Sequence, residues 1–128
     1  MCVNIISEEL IAEEDITVYK VVYDNHGFQS QFTPEGRTPQ NQTGNNGTIL
    51  YFRINQLTES PFTYSEGIYT YVIEPKHVSH CNLPRDVYCT KILRCVVPKG
   101  TKYKKATYML IDCMLVEKLI PLEAIICV

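Results

Sequence analysis

The sequence has no tryptophan and no apolar run fit to cross a bilayer. Its longest uncharged apolar stretches, Tyr108 to Ile111 and Cys113 to Val116, fall far short of the roughly 18 residues a spanning helix needs. No membrane association is therefore expected. Also missing are Gly-x-Gly-x-x-Gly, Gly-x-x-x-x-Gly-Lys, His-Glu-x-x-His and Gly-x-Ser-x-Gly, which removes the fingerprints of dinucleotide binding, P-loop phosphate binding, zincin chemistry and serine hydrolysis. The opening Met1-Cys-Val-Asn-Ile-Ile-Ser-Glu-Glu carries no basic residue ahead of its short apolar patch, so it does not read as a secretory signal and a cytoplasmic location is expected. Basic residues are scarce early on. Positions 1–75 hold ten acids against Lys20, Arg37 and Arg53, whereas 76–128 hold nine bases against four acids.

What is present suits one ordinary domain spanning 1–128. The chain has 128 residues, with 45% apolar and 20% charged, which is enough for a single core and too little for two. The charge split predicts a dipolar surface whose basic half steers anions. Its densest stretch, Lys99-Gly-Thr-Lys-Tyr-Lys-Lys105, reads as a solvated turn between strands or as a phosphate contact on which Tyr103 stacks a base. A pI near 5.9 makes duplex DNA an unlikely partner.

Six cysteines, at 2, 81, 89, 95, 113 and 127, would suggest disulfides in a secreted chain, but in a reducing compartment they read as small buried hydrophobes. Cys89 and Cys95 share strand parity with Val87, Leu93 and Val97, which places them on one apolar face. His77, His80, Cys81 and Cys89 are the only set with metal-ligand character; without a Cys-x-x-Cys pair they do not make a zinc site, and no metal or other cofactor is expected. The same histidines would have to meet Cys81 or Cys89 to make a nucleophile and base pair. The carboxylates at 8, 9 and 13–15 read as a solvated helix face.

Strand signals dominate. Ile16 to Tyr23 is rich in β-branched and aromatic residues, and Asp24-Asn-His-Gly27 followed by the alternating Phe28 to Phe32 predicts a hairpin. Residues 33–48 contain no large apolar side chain and form a polar surface loop, the kind of element that carries binding function. Further strands are expected at Ile49 to Ile54, Gly67 to Ile73 and Val87 to Val97, the last at the sheet centre. Tyr108 to Ile120 fits strand or helix, and Pro121 separates it from an apolar tail, Ala124 to Val128, that must dock on the core or on another subunit. Short helices are predicted at Ser7 to Asp15, with Ser7 as N-cap, and at Lys76 to Pro84. The expected fold is α+β: a single mainly antiparallel sheet of six or seven strands with one or two short helices, because most connections are too short for parallel crossovers.

Nine tyrosines, interleaved with arginines and lysines, are the residue types that stack on rings and hold phosphates. Arg53, Tyr69, Tyr71, Arg94, Lys102 and Tyr103 are the candidate ligand-binding residues. No catalytic residue is assigned.

Gly67-Ile-Tyr-Thr-Tyr71 and Cys95-Val-Val-Pro-Lys-Gly-Thr-Lys-Tyr103 resemble segments of small proteins encoded by phages and mobile elements of gut bacteria. The layout also resembles that of ADP-ribosyltransferases, with Tyr19 to Tyr23 as the opening strand, Gly67 to Ile73 as a middle strand and a late strand ending in a Pro-x-Gly-Thr turn. Tyr19-Lys20-Val21 has no Arg or His where that family holds its cofactor, no Ser-Thr-Ser follows, and no Glu-x-Glu or Gln-x-Glu appears. The resemblance therefore implies a non-catalytic descendant. The leading expectation is a non-enzymatic, homo-oligomeric binding protein, phage-encoded and acting in a host cytoplasm, that engages a nucleotide-like anion or a host protein. The rivals are an atypical ADP-ribosyltransferase-like nucleotide enzyme and a virion assembly protein.

Overall fold

A computed structural model describes residues 4–24, 27–30, 50–63, 67–72, 90–108 and 111–125. Among these residues there are eleven strands and no helix. The α+β expectation is thus corrected to an essentially all-β architecture, and the count of six or seven strands is too low. The strands are β1 (Asn4–Ile5), β2 (Leu10–Ile11), β3 (Ile16–Asp24), β4 (Phe28–Ser30), β5 (Tyr51–Phe52), β6 (Thr58–Glu59), β7 (Ile68–Tyr71), β8 (Thr90–Val97), β9 (Lys102–Tyr108), β10 (Ile111–Val116) and β11 (Lys118–Ile125). They order as β1-β9-β10-β7-β3-β8-β11-β6, with β2 on β9 and the β4–β5 pair on β3.

The helix expected at Ser7 to Asp15 fails for a definable reason. A helix that short gains little from its cap and its acidic first turn, whereas the edge of β9 offers main-chain partners. β1 and β2 take them: Asn4 and Ile5 pair with Thr107 and Ala106, and Leu10 and Ile11 with Tyr103 and Lys102. Between and beyond them, Ile6 N–H donates to Lys105 O, Ala12 N–H to Thr101 O, and Gly100 N–H to Ala12 O. Ser7 Oγ, expected to cap a helix, instead accepts the Lys105 amide at 2.8 Å. The second predicted helix, Lys76 to Pro84, and the 33–48 loop lie outside the described residues.

The lysine stretch is also corrected. Only 98–101 form the turn, while Lys102, Lys104 and Lys105 belong to β9. Lys104 is buried, its Nζ donating to Thr63 O at 2.8 Å and lying 5.0 Å from the Phe62 ring centroid. The 108–120 stretch is strand throughout its described part, broken at Glu117 and not at Pro121. Pro121 lies inside β11, and Ile125 of the apolar tail packs against Val21 and Ile92.

The break at Glu117 shapes the sheet. β10 and β11 are separated by this one residue, yet β7, β3 and β8 lie between them in the strand order. Four lateral steps of about 4.8 Å amount to roughly 19 Å in a flat sheet, whereas two residues span at most about 7 Å. The sheet must therefore curl until the end of β10 meets the start of β11. Glu117 sits at this junction: its N–H donates to Lys102 O and its carbonyl accepts Ser60 N–H.

The concave face holds the main core: Val18 and Val22 from β3, Phe52 from β5, Ile68 from β7, Leu93, Cys95 and Val97 from β8, Met114 and Val116 from β10, and Leu119 from β11. Gly67 lets β7 approach β10. A Cβ there would stand 2.8 Å from Leu115 Cδ1, at a φ of 156° that L-residues avoid.

Candidate functional site

Register across the sheet assembles a site on the convex face. Direct pairing places Tyr71 of β7 opposite Tyr19 of β3, Tyr19 opposite Arg94 of β8, and Arg94 opposite Glu123 of β11. On the other side Tyr71 faces Cys113 of β10, which faces Ala106 of β9. Directly opposed residues point to the same face of a sheet. Ala106, Cys113, Tyr71, Tyr19, Arg94 and Glu123 therefore form one row crossing six strands. Tyr69, two residues before Tyr71, shares that face beside Leu115.

Local sequence explains the row. In β3, Val18, Lys20 and Val22 turn inward, which turns Tyr19 and Val21 outward. Fully buried Val21 and Ile92 form an apolar floor against which Tyr19, Tyr71 and Ile125 pack. The two tyrosines are half-buried on adjacent strands, and their placement makes an aromatic cross-strand pair. Burial pushes the Tyr69 phenol above its ordinary value, so it stays neutral.

A bulge sets the far end of the row. The β11–β8 register shifts between Pro121 and Glu123. In an unbroken ladder, Leu122 would oppose Arg94 and Glu123 would be directed at Leu93 in the core. Skipping one residue turns Glu123 outward instead, a re-aiming that bulges commonly perform. Arg94 Nε then meets Glu123 Oε1 at 3.0 Å, with both side chains substantially exposed. The row thus combines two aromatic rings with a guanidinium already held by a carboxylate.

The six residues singled out from the sequence divide evenly. Tyr69, Tyr71 and Arg94 come together on the convex face. Arg53 is exposed in the turn after β5, its carbonyl accepting Gln56 N–H. Lys102 is exposed at the start of β9 opposite Ile11. Tyr103 packs on the concave core and lines a groove with Glu9, Glu13 and Glu14. These acids answer the expectation of a separate basic surface. The fold lays the acidic 7–15 segment against the lysine-bearing turn and β9, with Asp15 Oδ1 accepting the Lys99 amide at 2.8 Å and Glu117 Oε2 accepting that of Lys102 at 3.3 Å. Charges separated in sequence are interleaved in space, and an anion near Lys102 would meet carboxylates.

Sequence reading passed over Tyr19, which lies at the centre of the row. The available signal was the parity of β3, where Tyr19 alternates against Val18 and Val22.

Nucleophilic chemistry finds little support nearby. Burial pushes the Cys95 thiol up to about 12, with nearby Lys20 opposing, so it is protonated and unreactive at neutral pH. Among the described residues no cluster of His, Cys, Asp and Glu is arranged to hold a metal, and no helix is long and apolar enough to cross a membrane. His77, His80, Cys81 and Cys89 lie outside the described residues. No protein-family model, curated protein or solved structure matches the chain.

Proposed function

We propose that this chain is a binding protein, not a catalyst, and that its convex face takes a planar, ring-bearing anion of nucleotide-like chemistry. The observation that carries this reading is the alignment of Tyr71, Tyr19 and Arg94 as direct neighbours on three adjacent strands. Paired tyrosines offer an aromatic platform worth about 1–3 kcal/mol per stacked base. Arg94, one strand further on, takes the anionic group through its planar fork of donors. Its bond to Glu123 is exposed and therefore weak, so a ligand carboxylate or phosphate exchanges for Glu123 at little cost. Lys102 and Arg53 take no part in this reading.

The test is titration with nucleoside mono- and diphosphates, read by tyrosine fluorescence and calorimetry, on the wild type and on Tyr19→Ala, Arg94→Ala and Lys102→Ala. The expected result is saturable binding that weakens at least tenfold in the first two variants and is unchanged in the third. Absence of binding at millimolar nucleotide, or equal loss in Lys102→Ala, would overturn it.

A further inference from the structure

The convex row crosses a seam. On one side β9, β10 and β7 are joined by long ladders: six paired positions between β9 and β10, and four between β10 and β7. On the other side β3 and β8 share eight. Between β7 and β3 there is one, Tyr19 opposite Tyr71. Among the described residues β7 and β3 thus share a single paired position, and that pair holds both rings of the candidate site.

A side-chain bond also crosses the seam. Lys20, the residue after Tyr19, turns inward and donates from Nζ to the Tyr69 carbonyl at 2.9 Å. Its side chain is buried, with only 3% of its surface exposed. Burial of an ammonium is costly without compensation, and a lysine placed there needs a structural reason beyond filling space. The titratable groups acting on it are the thiols of Cys95 on β8 and Cys113 on β10. Neither is a carboxylate, so among the described residues no full countercharge accounts for its position.

We propose that Lys20 is a positioning residue: a clasp from β3 to β7 that fixes the spacing of Tyr19 and Tyr71 on the opposite face. A charged donor makes a hydrogen bond about twice as strong as a neutral one, so the clasp is tight while Lys20 is protonated and slackens when it is not. Desolvation lowers Lys20 from 10.5 to about 8, which puts that change one step above neutrality. The clasp deepens the binding function proposed above, but it is measurable with no ligand present.

The experiment follows the ring resonances of Tyr19 and Tyr71, and the nuclear Overhauser effect between them, from pH 6 to 10 in the free wild-type protein and in Lys20→Met. Expected is a wild-type transition centred near 8, distinct from ionisation of the phenols themselves, with no such transition and a weakened inter-ring effect in Lys20→Met. A side chain that merely filled space would leave the rings indifferent to pH. Wild-type rings that do not respond between pH 7 and 9 would overturn the clasp, and this arm needs no variant to fold. So would wild-type ring shifts and inter-ring effect retained in Lys20→Met. Nucleotide affinity measured in parallel separates the two ideas: a clasp transition without nucleotide binding rejects the ligand and keeps the clasp, and binding without the transition does the reverse.

Discussion

The two faces of this sheet are built from the same strands and obey different rules. On the concave face apolar side chains from six strands meet in one closed cluster, and nearly every member is fully buried. On the convex face burial is broken into separate patches, Val21 with Ile92, Ala106 with Cys113, and Leu115 beside Lys104, and among them stand half-exposed rings and an ion pair. The contrast shows where the stability resides and where change is tolerated. Curling concentrates hydrophobic burial inside and leaves the outside to hold polar chemistry on a rigid backbone, the usual requirement for a positioned site.

The contrast is sharpest at Leu93 of β8. Leu93→Ala removes a fully buried concave side chain and is expected to destabilise by about 2–5 kcal/mol, read as a lower midpoint in urea with the slope unchanged. A loss below 1 kcal/mol would mean that the concave cluster is not the principal core.

Lys20 is the exception on the concave face, and replacing it should act in the opposite direction. Its folded-state value lies below the 10.5 of the unfolded chain, at about 8, a difference worth about 3 kcal/mol. The native state binds fewer protons than the unfolded state between those two values, so wild-type stability rises with pH across that window. Below pH 8 the ammonium is charged in both states and the full cost is present. Lys20→Met should therefore be more stable than wild type at pH 7 by as much as about 3 kcal/mol, with the advantage shrinking toward pH 10.5. Denaturation at pH 7, 9 and 10.5 checks this, and an advantage that grows with pH would contradict it. Stability and clasping thus move oppositely with pH, a signature that simple core packing does not produce.

The smallest effect belongs to the convex face. Arg94→Ala breaks an exposed pair with Glu123 and should change stability by less than about 1 kcal/mol, even though the same substitution is expected to abolish most ligand affinity. A thermal midpoint that falls as far as that of Leu93→Ala would erase the distinction between the faces.

Much of this architecture was legible in local sequence and some was not, for physical reasons. Ile16 to Asp24 and Thr90 to Val97 are β-branched runs, and both form long central strands. The 7–15 segment carries helix-favouring acids and a good N-cap, but its conformation is decided by the unfilled edge of β9, a partner about ninety residues away in sequence. The charge asymmetry of the sequence does not carry over to the described surface around β9, because pairing Leu10 with Tyr103 and Ile11 with Lys102 brings the acidic segment onto the basic one. Tyr71 and Arg94 were recognisable by residue type. That they flank Tyr19 depends on registers between β7, β3 and β8 and on a bulge that skips Leu122, none of which any short window of sequence contains.

The single residue between β10 and β11 makes this junction intolerant of length change. Val116 and Leu119 both enter the core, although they are three positions apart and would sit on opposite faces of one straight strand. Glu117 absorbs the mismatch. One residue added or removed there would exchange inside for outside along all of β11, moving Leu119 into water and Glu123 away from Arg94. The closure of the curl is counted to the residue.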